Sequence, residues 1–166
     1  MKKLVEGFKE ILLNPGELYF GTGNTRISTL LGSCVSITLW HPRQRIGGMC
    51  HYVIEKRVRA VNGPLDGRFG NEAFELLLQH VKAAGTRPAE YQVKLFGGGK
   101  MFSSQMEVGP RNIEFGRQLL ANLHITPMAE HVGGSGRRKL HFDLWNGNAW
   151  LAFPQGKDAH IRGDYD

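Results

Sequence analysis

Cysteine is scarce in this chain. Its 166 residues carry only Cys34 and Cys50, too few for a disulfide framework and without the Cys-x-x-Cys pair that opens a typical zinc site. No segment approaches the roughly 18 consecutive apolar residues of a membrane span. The opening stretch MKKLVEGFKEILLNPGE lacks the apolar run and small-residue cleavage site of a signal peptide. These absences predict a cytoplasmic protein with reduced thiols and no membrane insertion. Repeats, linkers and low-complexity tracts are also missing. GGGKM lacks the spacing and the Ser/Thr of a phosphate-binding P-loop, and GTGNTR has neither a third glycine nor a following helix, so no nucleotide cofactor is expected.

What is present is an ordinary globular composition, 41% apolar and 22% charged, in a chain long enough to bury a core without staples. The simplest organisation is one domain over residues 1–166. The net charge is +6, which suits nucleic acid, an anionic surface or an acidic protein partner. Much of the excess falls in the loop-like HPRQR, EKRVR and GRRKL, and no nucleic-acid reader motif accompanies it, so scattered surface charge is the plainer reading and nucleic acid is not expected.

Periodicity supplies the elements. Leu4, Val5, Phe8, Ile11 and Leu12 recur at helical spacing, predicting a short helix over residues 3–13 that stops at Asn14-Pro15-Gly16. ELYF reads as a strand, and residues 27–40 are β-prone except at Gly32-Ser33. IGGMCHYVI, after the turn-like HPRQR, suits a hairpin partner for the strand carrying Cys34. Residues 55–70 are irregular, a length that usually marks function or mobility. Asn71 and Gly85 are the predicted caps of a helix with Phe74, Leu77, Leu78 and Val81 on its apolar face. YQVKLFGGG is a strand running into a tight loop, Pro110 opens a second helix with Ile113, Leu119, Leu120 and Leu123 inward, and HITPMAEHVGG is a further strand. Asn146-Gly147 predicts a two-residue type I′ hairpin turn. The sum is an α/β or α+β domain of layered mixed β-sheets with about three helices.

Gly32 and Ser33 break the apolar run directly before Cys34, leaving backbone N–H groups free to hold an oxyanion. His51 follows 17 residues later on the proposed partner strand, where an imidazole activates a thiol. A lone cysteine in a strand reads equally as a small core residue, and a lone histidine as a satisfied structural one. The residues alone leave that choice open. A zinc site from both cysteines is disfavoured, because Cys50 and His51 are adjacent and point to opposite faces of a strand.

LGSCVSITLW followed by RIGGMCHYV resembles the chemoreceptor glutamine deamidases of bacterial chemotaxis, the CheD family. The similarity continues in order through GRFGNEAFELLL, LFGGGKMF, VGPRNIEF and HVGGSGRRKLHFD. It implies a cofactor-free Cys-His-hydroxyl triad, with Cys34 as nucleophile and His51 as base. The family's hydroxyl stands six positions before the cysteine, which falls on Ser28, with Thr29 the alternative. Gly32 and Ser33 take the oxyanion and positioning role, and Cys50 has none. The implied reaction converts glutamines on receptor cytoplasmic helices to glutamate with release of ammonia. The alternative it allows is a binding modulator, without turnover, of receptors or of a CheC-type phosphatase. HVGGSGRR reads as a plain turn or as a basic loop beside the site.

Overall fold

The computed structural model describes residues 7–57, 63–101, 107–153 and 159–163. Among these residues, ten strands form two five-stranded sheets. The first has the order β1(Lys9–Leu13), β3(Thr25–Leu31), β8(Arg138–Asp143), β9(Ala149–Ala152) and β10(Ala159–Ile161). The second has the order β2(Leu18–Thr22), β5(Ile46–Cys50), β4(Val35–His41), β6(Gln92–Gly97) and β7(Ala129–Val132). β1 pairs parallel to β3 and β6 parallel to β7; the other pairings are antiparallel.

Alternation along β4 shows how the layers stack. Val35, Ile37 and Leu39 meet Phe74, Leu77 and Val81 of helix α1(Gly70–Ala83) and Ile113 and Leu120 of helix α2(Val108–Asn122). Trp40, on the opposite phase, packs with Ile27, Leu31, Leu140 and Phe142 of the first sheet. Successive strand residues face opposite sides, so a strand buried along its whole length, as β4 is, needs a layer on each face. The order is therefore sheet, sheet, helices. The outer face of the first sheet is left with Leu12, Leu30 and Trp150 exposed.

Several sequence expectations change here. Lys9–Leu13 is a strand: its pairing with β3 outweighs a weak helical period, and residues 3–6 of the expected helix lie outside the described residues. With that helix replaced by β1, the described residues hold two α-helices and a one-turn 3-10 helix at Pro88–Glu90, against about three expected. Asn71 is already inside α1, whose N-cap is Phe69. The Gly70 and Asn71 N–H groups bond the Ile54 and Glu55 carbonyls, so no side-chain cap is required. Gly85 follows the C-cap Ala84 with a φ of 74°, as expected. α2 starts two residues before Pro110. The β8–β9 connection spans residues 144–148 rather than two: Gly147 N–H bonds the Asp143 carbonyl, and Asn146 does not take the positive φ that a type I′ turn demands. No described helix is long and apolar enough to cross a membrane.

Candidate active site

Residues 32–34 are the crossing from β3 in one sheet to β4 in the other, and that crossing accounts for the break in the apolar run. Three consecutive carbonyls fasten it. Gly99 N–H donates to the Gly32 carbonyl at 2.9 Å and Gly98 N–H to the Cys34 carbonyl at 2.8 Å; Asn112 Nδ2 donates to the Ser33 carbonyl at 3.0 Å. The glycine run after β6 is thus a support for the cysteine loop. Gly97 has a φ of 106°, and a Cβ there would strike the Cys34 carbonyl.

His51 directly follows β5. Val35 bridges Tyr52 in the register of the β4–β5 ladder, which sets Ser36 opposite His51 and makes Cys34 and His51 diagonal neighbours on one face. Cys50 and Tyr52 take the other face and are buried against the helices. Both backbone groups of His51 are held by the β1–β2 turn: Gly16 N–H donates to its carbonyl at 2.8 Å, and its N–H donates to Glu17 at 3.1 Å.

The imidazole tautomer follows from one hydroxyl. Thr29 Oγ1 lies 2.7 Å from His51 Nδ1 and donates its only proton to the Leu13 carbonyl at 2.8 Å. It must therefore accept from Nδ1–H. That leaves Nε2 as the unprotonated nitrogen, and it is buried with no hydrogen-bond partner among the described residues. Ser28, favoured by the family spacing, faces the outer side of the sheet, where its Oγ is 2.6 Å from His141 Nδ1. Of the two hydroxyls the sequence offered, Thr29, the alternative, is the one that meets His51, because neighbours on a strand cannot share a face.

Cys34 and His51 line one groove of about 480 Å³ with Gly32 and Ser33. Leu12, Leu13, Asn14 and Pro15 form one wall and Leu30 another, with Met101 and Arg137 at the rim. Burial pushes the Cys34 thiol up and the His51 imidazole down to about 4. The resting pair is therefore neutral. Cys50, fully enclosed, is pushed up to about 12. Arg137 reaches the rim because its loop is tied to Lys100, whose N–H donates to Gly134 at 2.7 Å and whose carbonyl accepts from Gly136 at 3.2 Å. Among the described residues, no three His, Cys, Asp or Glu side chains converge as a metal site. Sequence reading passed over Asn112 and the β1 wall; the only signal for Asn112 was its place in VGPRNIEF.

Residues 55–153 match the family model described as CheD chemotactic sensory transduction. The chain belongs to the CheD family. It is 71% identical over 157 residues, 92% of each chain, to a protein of Dechloromonas aromatica named probable chemoreceptor glutamine deamidase CheD 3. A protein of Pseudomonas savastanoi named probable chemoreceptor glutamine deamidase CheD is 49% identical over 151 residues, 87% of this chain and 85% of that one. The CheD 1 of Leptospira interrogans, named in the same terms, is 35% identical over 158 residues, 88% of this chain and 93% of that one. The stretch matched by the CheD model begins after His51, so it concerns the helices, the glycine support and β6 to β9, while the matches to these relatives cover enough of the chain to include Cys34 and His51.

Proposed function

We propose that this CheD-family chain is a protein-glutamine deamidase acting on chemoreceptor cytoplasmic helices in the cytoplasm, with Cys34 as nucleophile, His51 as base and acid, and Thr29 orienting the imidazole. The observation that carries this reading is the tautomer: Thr29 and Leu13 leave His51 with a bare Nε2 in the groove that also holds Cys34. Both groups rest neutral, so the thiol proton moves to Nε2 as sulfur attacks the side-chain carboxamide carbon. The new C–S bond pushes the carbonyl electrons onto oxygen, and backbone N–H groups at Ser33 and Cys34 receive that charge. Collapse breaks the C–N bond, and His51 returns the proton to the departing nitrogen, which leaves as ammonia. Water, deprotonated by the same Nε2, then hydrolyses the thioester to glutamate and restores the thiol. As the C–S bond breaks, His51 returns the water proton to sulfur, and the carboxylic acid released sheds its own proton to solvent to become glutamate.

A receptor cytoplasmic fragment incubated with wild type and with Cys34→Ala, and read by mass spectrometry, tests the assignment. Conversion of Gln to Glu is expected with wild type only. Conversion by both would remove Cys34 from the chemistry; conversion by neither would favour the modulator reading, in which the groove binds receptors or a CheC-type phosphatase without turnover.

A further inference from the structure

We propose that Asn112 is a positioning residue of this site, fixing the Ser33–Cys34 peptide so that the Cys34 N–H faces the groove as an oxyanion donor. The inference rests on the nucleophile reading above. Asn112 is fully buried on α2. Its Nδ2 donates to the Ser33 carbonyl at 3.0 Å and to the Val53 carbonyl at 2.9 Å. One amide therefore joins the peptide before the nucleophile to the chain two residues beyond the base. The Tyr52 hydroxyl donates to the Asn112 backbone carbonyl at 2.5 Å, holding the helix in register with the strand exit.

The orientation of the amide is dictated by its neighbours. Two carbonyls face it, which only an NH2 group satisfies; the flipped amide would set oxygen against oxygen twice. Its Oδ1 is left buried without a partner among the described residues, a destabilising arrangement that stability alone does not explain. The peptide bond explains it. A trans peptide points the carbonyl of Ser33 and the N–H of Cys34 in opposite directions. With the carbonyl held on the helix side by Asn112, the N–H is aimed at the opposite side, the face that Cys34 shares with His51.

The test compares two reactions of the same thiol. Acylation by p-nitrophenyl acetate passes through a tetrahedral oxyanion, whereas alkylation by iodoacetamide does not. Asn112→Asp, nearly isosteric but without the donor, and Asn112→Ser are compared with wild type, acylation by release of p-nitrophenolate and alkylation by intact mass, with circular dichroism to show that they fold. We expect acylation to slow by about 10- to 100-fold, less than or comparable to the loss of an oxyanion donor itself. Alkylation should be unchanged, and kcat on a receptor fragment should fall at constant KM. Acylation and alkylation slowing together would mean that Asn112 positions the thiol and not the donor, and overturns the proposal, as does no change in either. Failure of both variants to fold would place Asn112 in the structural framework and also overturn it. Release of p-nitrophenolate by wild type no faster than by Cys34→Ala would instead sink the nucleophile reading, and the proposal with it.

Discussion

Two neighbouring residues of β3 each hold a histidine by its Nδ1, at nearly equal distance, and only one of the two pairs faces the groove. Ser28 meets His141 at 2.6 Å on the outer face of the first sheet, and Thr29 meets His51 at 2.7 Å between the sheets. Burial lowers the pKa of both imidazoles. The surroundings separate them. His141 is only partly buried and sits among Arg26, Glu10, Lys139 and Asp143, with Arg26 and Asp143 joined by a two-bond ion pair at 2.6 and 3.0 Å. His51 has a second hydrogen bond fixing its tautomer through Thr29, a bare Nε2, and a cysteine in the same groove. A hydroxyl–imidazole pair is thus a structural device by default; what sets the Thr29–His51 pair apart is the cysteine that lines the same groove.

The comparison breaks most sharply at the histidines. His51→Ala is expected to lower the deamidation rate on a receptor fragment by about 10²- to 10⁴-fold, the usual contribution of a general acid–base group, while His141→Ala leaves the rate near that of wild type. Equal losses in the two variants would erase the distinction drawn here.

The hydroxyls should differ less. Thr29→Val removes one orienting hydrogen bond, worth about 1 kcal/mol, and so should cost roughly fivefold in rate. Ser28→Ala should leave the rate within about twofold and instead cost about 1 kcal/mol in stability, read from denaturant unfolding. An inactive Ser28→Ala beside a normal Thr29→Val would restore the family's six-residue spacing as the functional register.

The cysteines offer the same contrast at lower cost in rate. Cys34, half-buried in the groove, should react with iodoacetamide well before Cys50, whose thiol is pushed up to about 12. Because burial holds His51 down to about 4, the Cys34 labelling rate should show no inflection near pH 6.5, the ordinary histidine value. A clear step there would mean that His51 titrates normally and that the resting pair is not neutral.

The smallest effect is on acid stability. His51 is neutral in the fold and has a depressed pKa, so its contribution is complete above about pH 6.5. It is lost as the pH falls toward the folded value of about 4. Thermal melts of wild type should therefore decline with acid over that window more steeply than those of His51→Ala. His141, lowered in the same direction, adds its own slope to both proteins. Identical slopes would show that His51 is not held neutral by the fold.

Much of this was written in the chain. Cys34, His51, the hairpin that joins their strands, the apolar face of α1, that of α2 except Leu123, which is exposed just past the helix, and the glycine run after β6 all carry local signals, because turn chemistry and hydrophobic period act over a few residues. Lys9–Leu13 misled for the same reason. Five residues of apolar spacing fit a helix, and only the parallel partner β3, sixteen residues away in register, makes them a strand and places Leu12 and Leu13 in the groove wall. The sequence by itself therefore determined which side chains are available for chemistry. Tertiary structure decided which hydroxyl meets which histidine, since a one-residue change of register turns a side chain to the opposite face of the sheet. It also decided which imidazole nitrogen is free, since the Leu13 carbonyl that takes the Thr29 proton belongs to another strand.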